Sequence, residues 1–381
     1  MQKIIIKYLV DTLTDAQTEK LTEWLKDSKN QRKFKKMVKE NYAINLASYK
    51  INEEAALLKV RKIIEDRNKP VRKLFRYIAA ASVLLFVVLT VVLNHKGSLD
   101  QQTESPVIVN TKIVPGTNKA TLTLEDGSQV PLEKGASFQT SNASSNGEQI
   151  VYWRKRINTI TKEIEYNYLT IPRGGQFYVV LSDGTKVWLN SESQLKYPVA
   201  FNDGEIRTVE LVYGEAYFDV SPSTLHKGSK FKVLHKAQEV EVLGTEFNIK
   251  AYQDEKNVYT TLVEGKVAVS ASNMKHVLSP NQQTNLDLDS NAMTLTKVSV
   301  YDNISWKDGI FSFQSKPLQD IMKVLSRWYD VDVVFENKAL EDITFTGVLG
   351  KHQNIDKILS TIKALSIIKN YEVNDQTITL N

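Results

Sequence analysis

Residues 176–189 read QFYVVLSDGTKVWL. An alternating run of apolar and polar side chains meets Ser-Asp-Gly-Thr and then alternates again. Period-two alternation marks half-buried strands, and Asp-Gly between two such runs supplies the positive φ of a tight hairpin turn. The same shape occurs upstream, where residues 121–132 read TLTLEDGSQVPL. From Thr111 to about residue 300 strand follows strand, broken by Asp-Gly, Asn-Gly, Gly-Gly and Tyr-Gly-Glu turns. The Ser/Asn-rich stretch Gln139–Gly147 reads as a mobile tip between strands.

Downstream the pattern becomes mixed. GIFSF reads as a strand, and Pro317 opens a helix that puts Leu318, Ile321, Met322, Leu325 and Tyr329 on one face. VDVVF and ITFTGVL are strands, Asn354 caps a second helix, and two short strands end the chain. The predicted order is β-α-β-β-α-β-β, an α+β unit.

Upstream the period changes to that of helices. Thr14-Asp15-Ala16-Gln17 has the form of a capping box, followed by a stripe of Leu21, Trp24 and Leu25. Further stripes run through Phe34, Met37, Val38, Tyr42 and Leu46, and then Ala56, Val60, Ile63 and Ile64. Residues 1–73 carry 18 Lys/Arg against 10 Asp/Glu, so the net +5 of the whole 381-residue chain is concentrated there. Tyr77 to Leu93 contains no charge, and with Leu74 and Phe75 reaches the length of a membrane-crossing helix. Arg67, Lys69, Arg72, Lys73 and Arg76 precede it, whereas His95 and Lys96 follow it, ahead of Asp100 and Glu104. Basic flanks stay in the cytoplasm, which orients the N-terminus inward.

The expected architecture is therefore multi-domain. It comprises an N-terminal all-α bundle (1–70), one transmembrane helix (74–94), a spacer (95–110), a β-rich domain (111–300) and a C-terminal α+β domain (304–381). The chain has no cysteine, which excludes disulfides and thiolate chemistry. Its five histidines show no metal spacing, and no cofactor or metal is expected. No recognition-helix pattern points to direct nucleic-acid binding.

Four ordered segments carry a family resemblance. Residues 171–201, with DGTKVWLN and YPVAF, resemble the start of the FecR domain. VELVYGEAYFDVS (209–221), VEVLGTEFNIKAY (240–252) and TTLVEGKVAVS (260–270) are similar to that family's later motifs. Residues 306–335 resemble its small C-terminal domain, itself similar to the short signalling domains of secretins and TonB-dependent receptors. The resemblance implies a β-rich FecR domain within an inner-membrane, single-pass anti-sigma factor. It implies two partners: an extracytoplasmic-function sigma factor in the cytoplasm, and the periplasmic signalling domain of a TonB-dependent outer-membrane transducer.

Candidate site residues follow. Leu21, Trp24 and Leu25, with the basic Lys35, Lys36 and Lys39, are candidates for sigma-factor contact; core stripe and solvated face are their plainer readings. Trp306, Phe311, Phe313, Trp328 and Tyr329 are candidates for transducer contact. Gly244-Thr245 reads first as a glycine bulge or a tight approach between two strands. Its second reading is self-cleavage by attack of the Thr245 hydroxyl on the preceding carbonyl. Two other classes compete: a membrane-anchored glycan- or peptide-binding module using Tyr152, Trp153 and Trp188, and a hydrolase using Glu215 and Asp219.

Overall fold

The computed structural model describes residues 113–153, 164–202 and 204–381, with residues 1, 4–5, 14–25, 27, 29–31 and 33–34. Strand predominates among them. This corrects the expected fold class, an all-α N-terminal bundle with a transmembrane helix. The helices are short: among the described residues the longest, Leu318–Tyr329, has 12 residues, against the ~20 a bilayer requires. No helix among the described residues is long and apolar enough to cross a membrane. The expected span 74–94, the spacer 95–110 and the helical stripes beyond residue 34 lie outside the described residues.

Near the N-terminus, helix α1 spans Asp15–Trp24. Thr14 Oγ1 accepts from Gln17 N–H, and the Gln17 side chain accepts from Thr14 N–H, so the capping box closes in both directions. Leu21 and Leu25 are buried, as are Ile5 and Phe34.

Residues 113–297 build two sheets around one continuous core. In the first, the order is Gln129–Glu133, Thr117–Thr123, Tyr166–Ile171, Ser193–Pro198, Arg207–Asp219, Phe231–His235, Gln238–Val242, Val267–Ala271 and Met274–Leu278. In the second, Gly175–Val180, Lys186–Leu189, Arg207–Asp219, Glu246–Ala251, Asn257–Glu264, Gln282–Asp287 and Met293–Lys297 follow one another. The 13-residue strand Arg207–Asp219 belongs to both. Its first half pairs with Ser193–Pro198 and, in parallel, with Phe231–His235; its second half pairs with Lys186–Leu189 and Glu246–Ala251. The switch occurs at a bulge between Leu211 and Tyr213, just before Gly214 at φ +96°. Corners where a strand changes sheet need such a bend.

Alternation explains the core. Phe177, Val179 and Leu181 point inward, as do Val187 and Leu189 beyond the Asp183-Gly184 turn. Burying each such side chain contributes about 1.5–3 kcal/mol. The 121–132 and 176–189 segments both form hairpins. Asp183 also makes a 2.7 Å ion pair with Arg207, both side chains 2% exposed. Much of the Gln139–Gly147 stretch, read as a tip between strands, is itself built into the second sheet. Ala143–Ser145 is a strand between Phe138–Gln139 and Gln149–Tyr152, with Ala143, Ser145 and Gly147 buried. Ser145 Oγ donates to the Gln149 carbonyl and accepts from Gly147 N–H, so short polar side chains replace apolar ones in closing this edge.

Helix α2, Val300–Ile304, and a 3-10 turn, Ser305–Asp308, lie over the second sheet. Ile304 and Trp306 pack on Tyr217 there. The last part then runs strand Ile310–Pro317, helix α3 Leu318–Tyr329, strands Asp332–Phe335 and Thr344–Gly350, helix α4 Ile355–Ala364, and strands Tyr371–Asn374 and Thr377–Leu380. This is the order read from the sequence. Asn354 caps α4 by accepting from Asp356 N–H. Leu318, Ile321, Met322 and Leu325 of α3 meet Ile355, Ile358, Leu359 and Ile362 of α4 in a second core.

Candidate functional site at the junction of the two cores

The C-terminal part rests on the β-rich part through buried cations. Arg327, at the end of α3, is 4% exposed. Its Nε lies 3.1 Å from Glu192 and its Nη1 3.0 Å from Glu255, while Nη2 donates to Asp254. Its guanidinium stacks 3.7 Å from the Tyr252 ring centroid. A planar fork satisfied on three sides and stacked on a ring is an arrangement arginine provides and lysine does not. Burial raises the Glu255 carboxyl, but Lys250 and Arg327 outweigh that and hold it below its ordinary range.

Arg173 reaches the other way. Its Nη1 is 3.1 Å from Asp332, and its Nη2 donates to the carbonyls of Ser326 and Val331. The next residue, Gly174, donates its N–H to the Arg327 carbonyl at 2.7 Å and accepts from Thr117 N–H at 2.9 Å. A line of hydrogen bonds thus joins the end of α3 to the first strand of the β-rich part.

Lys351 is the third cation. It is 3% exposed, 2.8 Å from Gln176 Oε1 and 3.7 Å from the Trp328 ring centroid, with Phe311 and Trp306 next to it. Trp328 in turn donates its indole N–H to the Lys351 carbonyl at 2.7 Å. Burial pushes the Lys351 ammonium down to about 7, and the Glu215 charge pulls the other way. The aromatic faces and the Gln176 oxygen favour the charged form.

The segment 113–116, which leads into the β-rich part, lies in the same junction. Ile113 belongs to the core of the C-terminal part. A Cβ on Gly116 would sit 2.7 Å from Trp328 Cε3, so glycine is what allows the approach. A cleft of about 550 Å³ opens here between Val114–Pro115 and Tyr329 and Gln376. Chemically the junction is a set of charge-assisted contacts, buried at Arg327, Glu255 and Lys351 and open to solvent at their rim, that position one folded part on the other and on the lead-in segment.

The residues singled out by sequence fall in several places. Trp306, Phe311, Phe313, Trp328 and Tyr329 are all buried; Phe311, Phe313, Trp328 and Tyr329 form part of the C-terminal core, and Trp306 packs on Tyr217. Of the sigma-contact candidates, Leu21 and Leu25 are buried and Trp24 is half-buried, while Lys35, Lys36 and Lys39 lie outside the described residues. Glu215 and Asp219 part company. Glu215 is buried and accepts from Asn190 and Asn248 at 2.9 and 3.0 Å, while Asp219 pairs with Lys186 at 3.1 Å. Burial raises the Glu215 carboxyl. Tyr152 is in the core, bonded to Tyr197 and Asn167; Trp188 stacks between Tyr178 and Tyr217; Trp153 is exposed. These three do not make one aromatic platform.

Gly244 has φ +143°, and a Cβ there would come within 2.9 Å of Pro222 Cα. Close approach of a neighbouring loop therefore accounts for the glycine. Thr245 is buried, and its hydroxyl donates to the Lys266 carbonyl at 3.1 Å. A backbone carbonyl does not serve as the base that activates a hydroxyl.

Sequence reasoning missed Arg327, Lys351 and Arg173. Arg327 carried a signal: it is a cation one residue before Trp328 on a strongly amphipathic helix. Lys351 carried none, since its burial depends on a surface supplied by distant Gln176.

Comparison with known proteins finds a family model in each of the two parts. Residues 167–268 match the family model described as FecR protein, and residues 310–380 match the model described as FecR, C-terminal. Two crystal structures of a "putative anti-sigma factor" from Parabacteroides distasonis ATCC 8503, at 1.65 and 2.50 Å resolution, are similar to the chain. Each aligns with a TM-score of 0.51 over 56% of this chain and 98% of that one, at 27% and 26% identity. No curated protein matches the chain.

Proposed function

From a chain that carries a FecR domain followed by a FecR C-terminal domain, we propose an anti-sigma factor that relays a periplasmic signal to a cytoplasmic sigma factor. It is a regulator and not an enzyme. Residues 1–70 bind an extracytoplasmic-function sigma factor. The C-terminal domain receives the periplasmic signalling domain of a TonB-dependent outer-membrane transducer. The proposed location is the inner membrane, with the N-terminus in the cytoplasm. That location rests on the uncharged run 77–93 and the basic residues before it.

One observation supports a relay above all others. Ile113, at the start of the FecR part, packs in the core of the C-terminal domain, and Thr117, Gly174 and Arg327 are joined by backbone hydrogen bonds. A partner that shifts the C-terminal domain must disturb the segment leading to the N-terminal residues, because packed interfaces have discrete arrangements and not a continuum. Since the candidate aromatic residues are buried, the partner meets exposed backbone and rim side chains. Addition of a strand to an open edge of the small sheets fits that requirement. Cleavage at Gly244-Thr245 is not needed for such a relay. The full chain should run as one band on a denaturing gel, and Thr245→Ala should look the same; two fragments from the parent and one from the variant would reverse this.

The test of function is co-purification of the full chain with each extracytoplasmic-function sigma factor of its own cell. Selective capture of one, together with derepression of that factor's promoters when the gene is deleted, is the expected result. Capture of none, with unchanged transcription on deletion, would remove the anti-sigma role.

A further inference from the structure

A second cleft, of about 390 Å³, lies between the second sheet, the α2 connection and the strand Ile310–Pro317. It adjoins the contacts that hold the two parts together, sharing Trp306 and Phe311 with the surroundings of Lys351, and its chemistry does not depend on the anti-sigma reading. Its size is that of a small-ligand site.

The walls divide into two kinds. Phe311, Phe313, Ile310 and Val324 supply an apolar side. Lys250, Lys297 and Lys316 supply cations. Two carboxylates line it as well, and both have partners: Glu215 accepts from Asn190 and Asn248, and Asp302 accepts from Ser312. Lys250 is paired with Glu255 at 2.7 Å, and Lys316 makes only a distant 3.9 Å contact with Asp320. Burial first, and then the neighbouring Lys250 charge, lower the Lys316 ammonium, against the opposing pull of Asp320, Glu255 and Glu215. A second positive charge close to a partly desolvated one is unfavourable until an anion lies between them.

Two further features point to a ligand. Trp306 lines the cleft at 6% exposure, and its indole N–H is buried without a hydrogen-bond partner. Such a donor costs about 1–3 kcal/mol if nothing accepts from it. The strand carrying Phe313, Gln314 and Lys316 is bulged between Phe313 and Lys316, with Ser315 at φ +46°. Bulges and left-handed non-glycine residues gather where a strand re-aims side chains at a site.

We propose that this cleft binds a small carboxylate joined to an apolar group. Lys316, Lys297 and the Trp306 N–H take the carboxylate, and Phe311 and Phe313 take the apolar part. Three lysines against two carboxylates, with the Trp306 N–H in want of an acceptor, favour an anion; the aromatic wall selects its apolar body. The same chemistry is presented by a free blocked amino acid and by the end of a peptide chain.

The test is calorimetric titration of the full chain, in detergent, with N-acetyl-phenylalanine, with its amide, and with a hexapeptide ending in phenylalanine. Saturable binding of the acid is expected, weakened at least tenfold in the amide. Lys316→Gln, Trp306→Phe and Lys297→Gln should each weaken it about tenfold, the last at an exposed side chain. Tighter binding of the hexapeptide identifies a chain end as the source, and equal binding a free molecule. Absence of saturation to 10 mM, or equal affinity for acid and amide, or indifference to all three substitutions, overturns the assignment.

Discussion

Gly214 stands at the point where one strand passes from the first sheet to the second. A Cβ there would meet Ser193 Oγ at 2.2 Å, Ser193 Cα at 2.4 Å and the Glu192 carbonyl at 2.5 Å, and φ is +96°. Two of these three are backbone atoms of one segment, which side-chain rotation cannot move. Gly214→Ala should therefore destabilise the chain by about 4 kcal/mol or more, read as a fall in the urea midpoint. His235 offers a pH-dependent case. Its Nδ1 accepts from Ala237 N–H at 3.3 Å, which fixes a neutral ring. Burial, with the adjacent Lys236 charge, lowers it from 6.5 to about 4. Its folded value is below its unfolded one, so its contribution is full above pH 6.5 and is lost as pH falls toward 4. The urea midpoint should drop between pH 7 and 4.5, and His235→Gln should reduce that drop; equal slopes in parent and variant would exclude His235 as the source. At this scale the turns were legible, because Asp-Gly has a local meaning. The Asp183–Arg207 ion pair was not, because its partners are 24 positions apart and neither pattern nor spacing marks a charge as buried.

Among elements, helix α3 decides most. Its apolar face was readable from Leu318, Ile321, Met322, Leu325 and Tyr329, since the 3.6-residue period is a local property. Its function as an anchor was not, because Arg327 finds Glu192, Asp254 and Glu255 on loops of another part of the chain. The same distinction covers the Gln139–Gly147 stretch. Composition reads Ser and Asn as loop-forming, yet here Ser145 and Asn146 hydrogen-bond the backbone of Gly147 and Gln149 and help build a short strand paired on both sides. Arg327→Ala removes the one cation shared by three carboxylates and leaves Glu255 buried with Lys250 alone. Because Glu255 keeps Lys250 and the other two carboxylates are about half exposed, the loss should fall below the ~3–5 kcal/mol of a fully buried pair broken from one side. Arg327→Lys should recover little of it, because an ammonium cannot engage three acceptors and stack on Tyr252 together. Limited trypsin digestion should release the C-terminal part from both variants faster than from the parent. Lysine substituting freely, with a parent-like digestion rate, would show that charge alone suffices.

For the whole molecule the question is whether the two cores behave as one body. Strand order in each part follows from local pattern, but their docking depends on the shapes of Gly116 and Trp328 and on the burial of Ile113, which no single window of sequence contains. The docking makes a mechanical argument testable. If the C-terminal part holds the lead-in segment, a change on one side must be felt on the other. Gly116→Ala places a Cβ 2.7 Å from Trp328 Cε3 and 2.8 Å from the Gly174 carbonyl, so both contacts must give. Trp328 then loses its seat beside Lys351, and Gly174 its hydrogen bond to the Arg327 carbonyl. Deuterium exchange should rise at Thr117 and Gly174, and also at Val331 and Lys351 beyond the end of α3. The strands Glu246–Ala251 and Asn257–Glu264, which pair within the second sheet, should exchange as in the parent. A rise confined to residues 113–117 would mean that the two cores merely touch, and a relay through this junction would lose its physical basis.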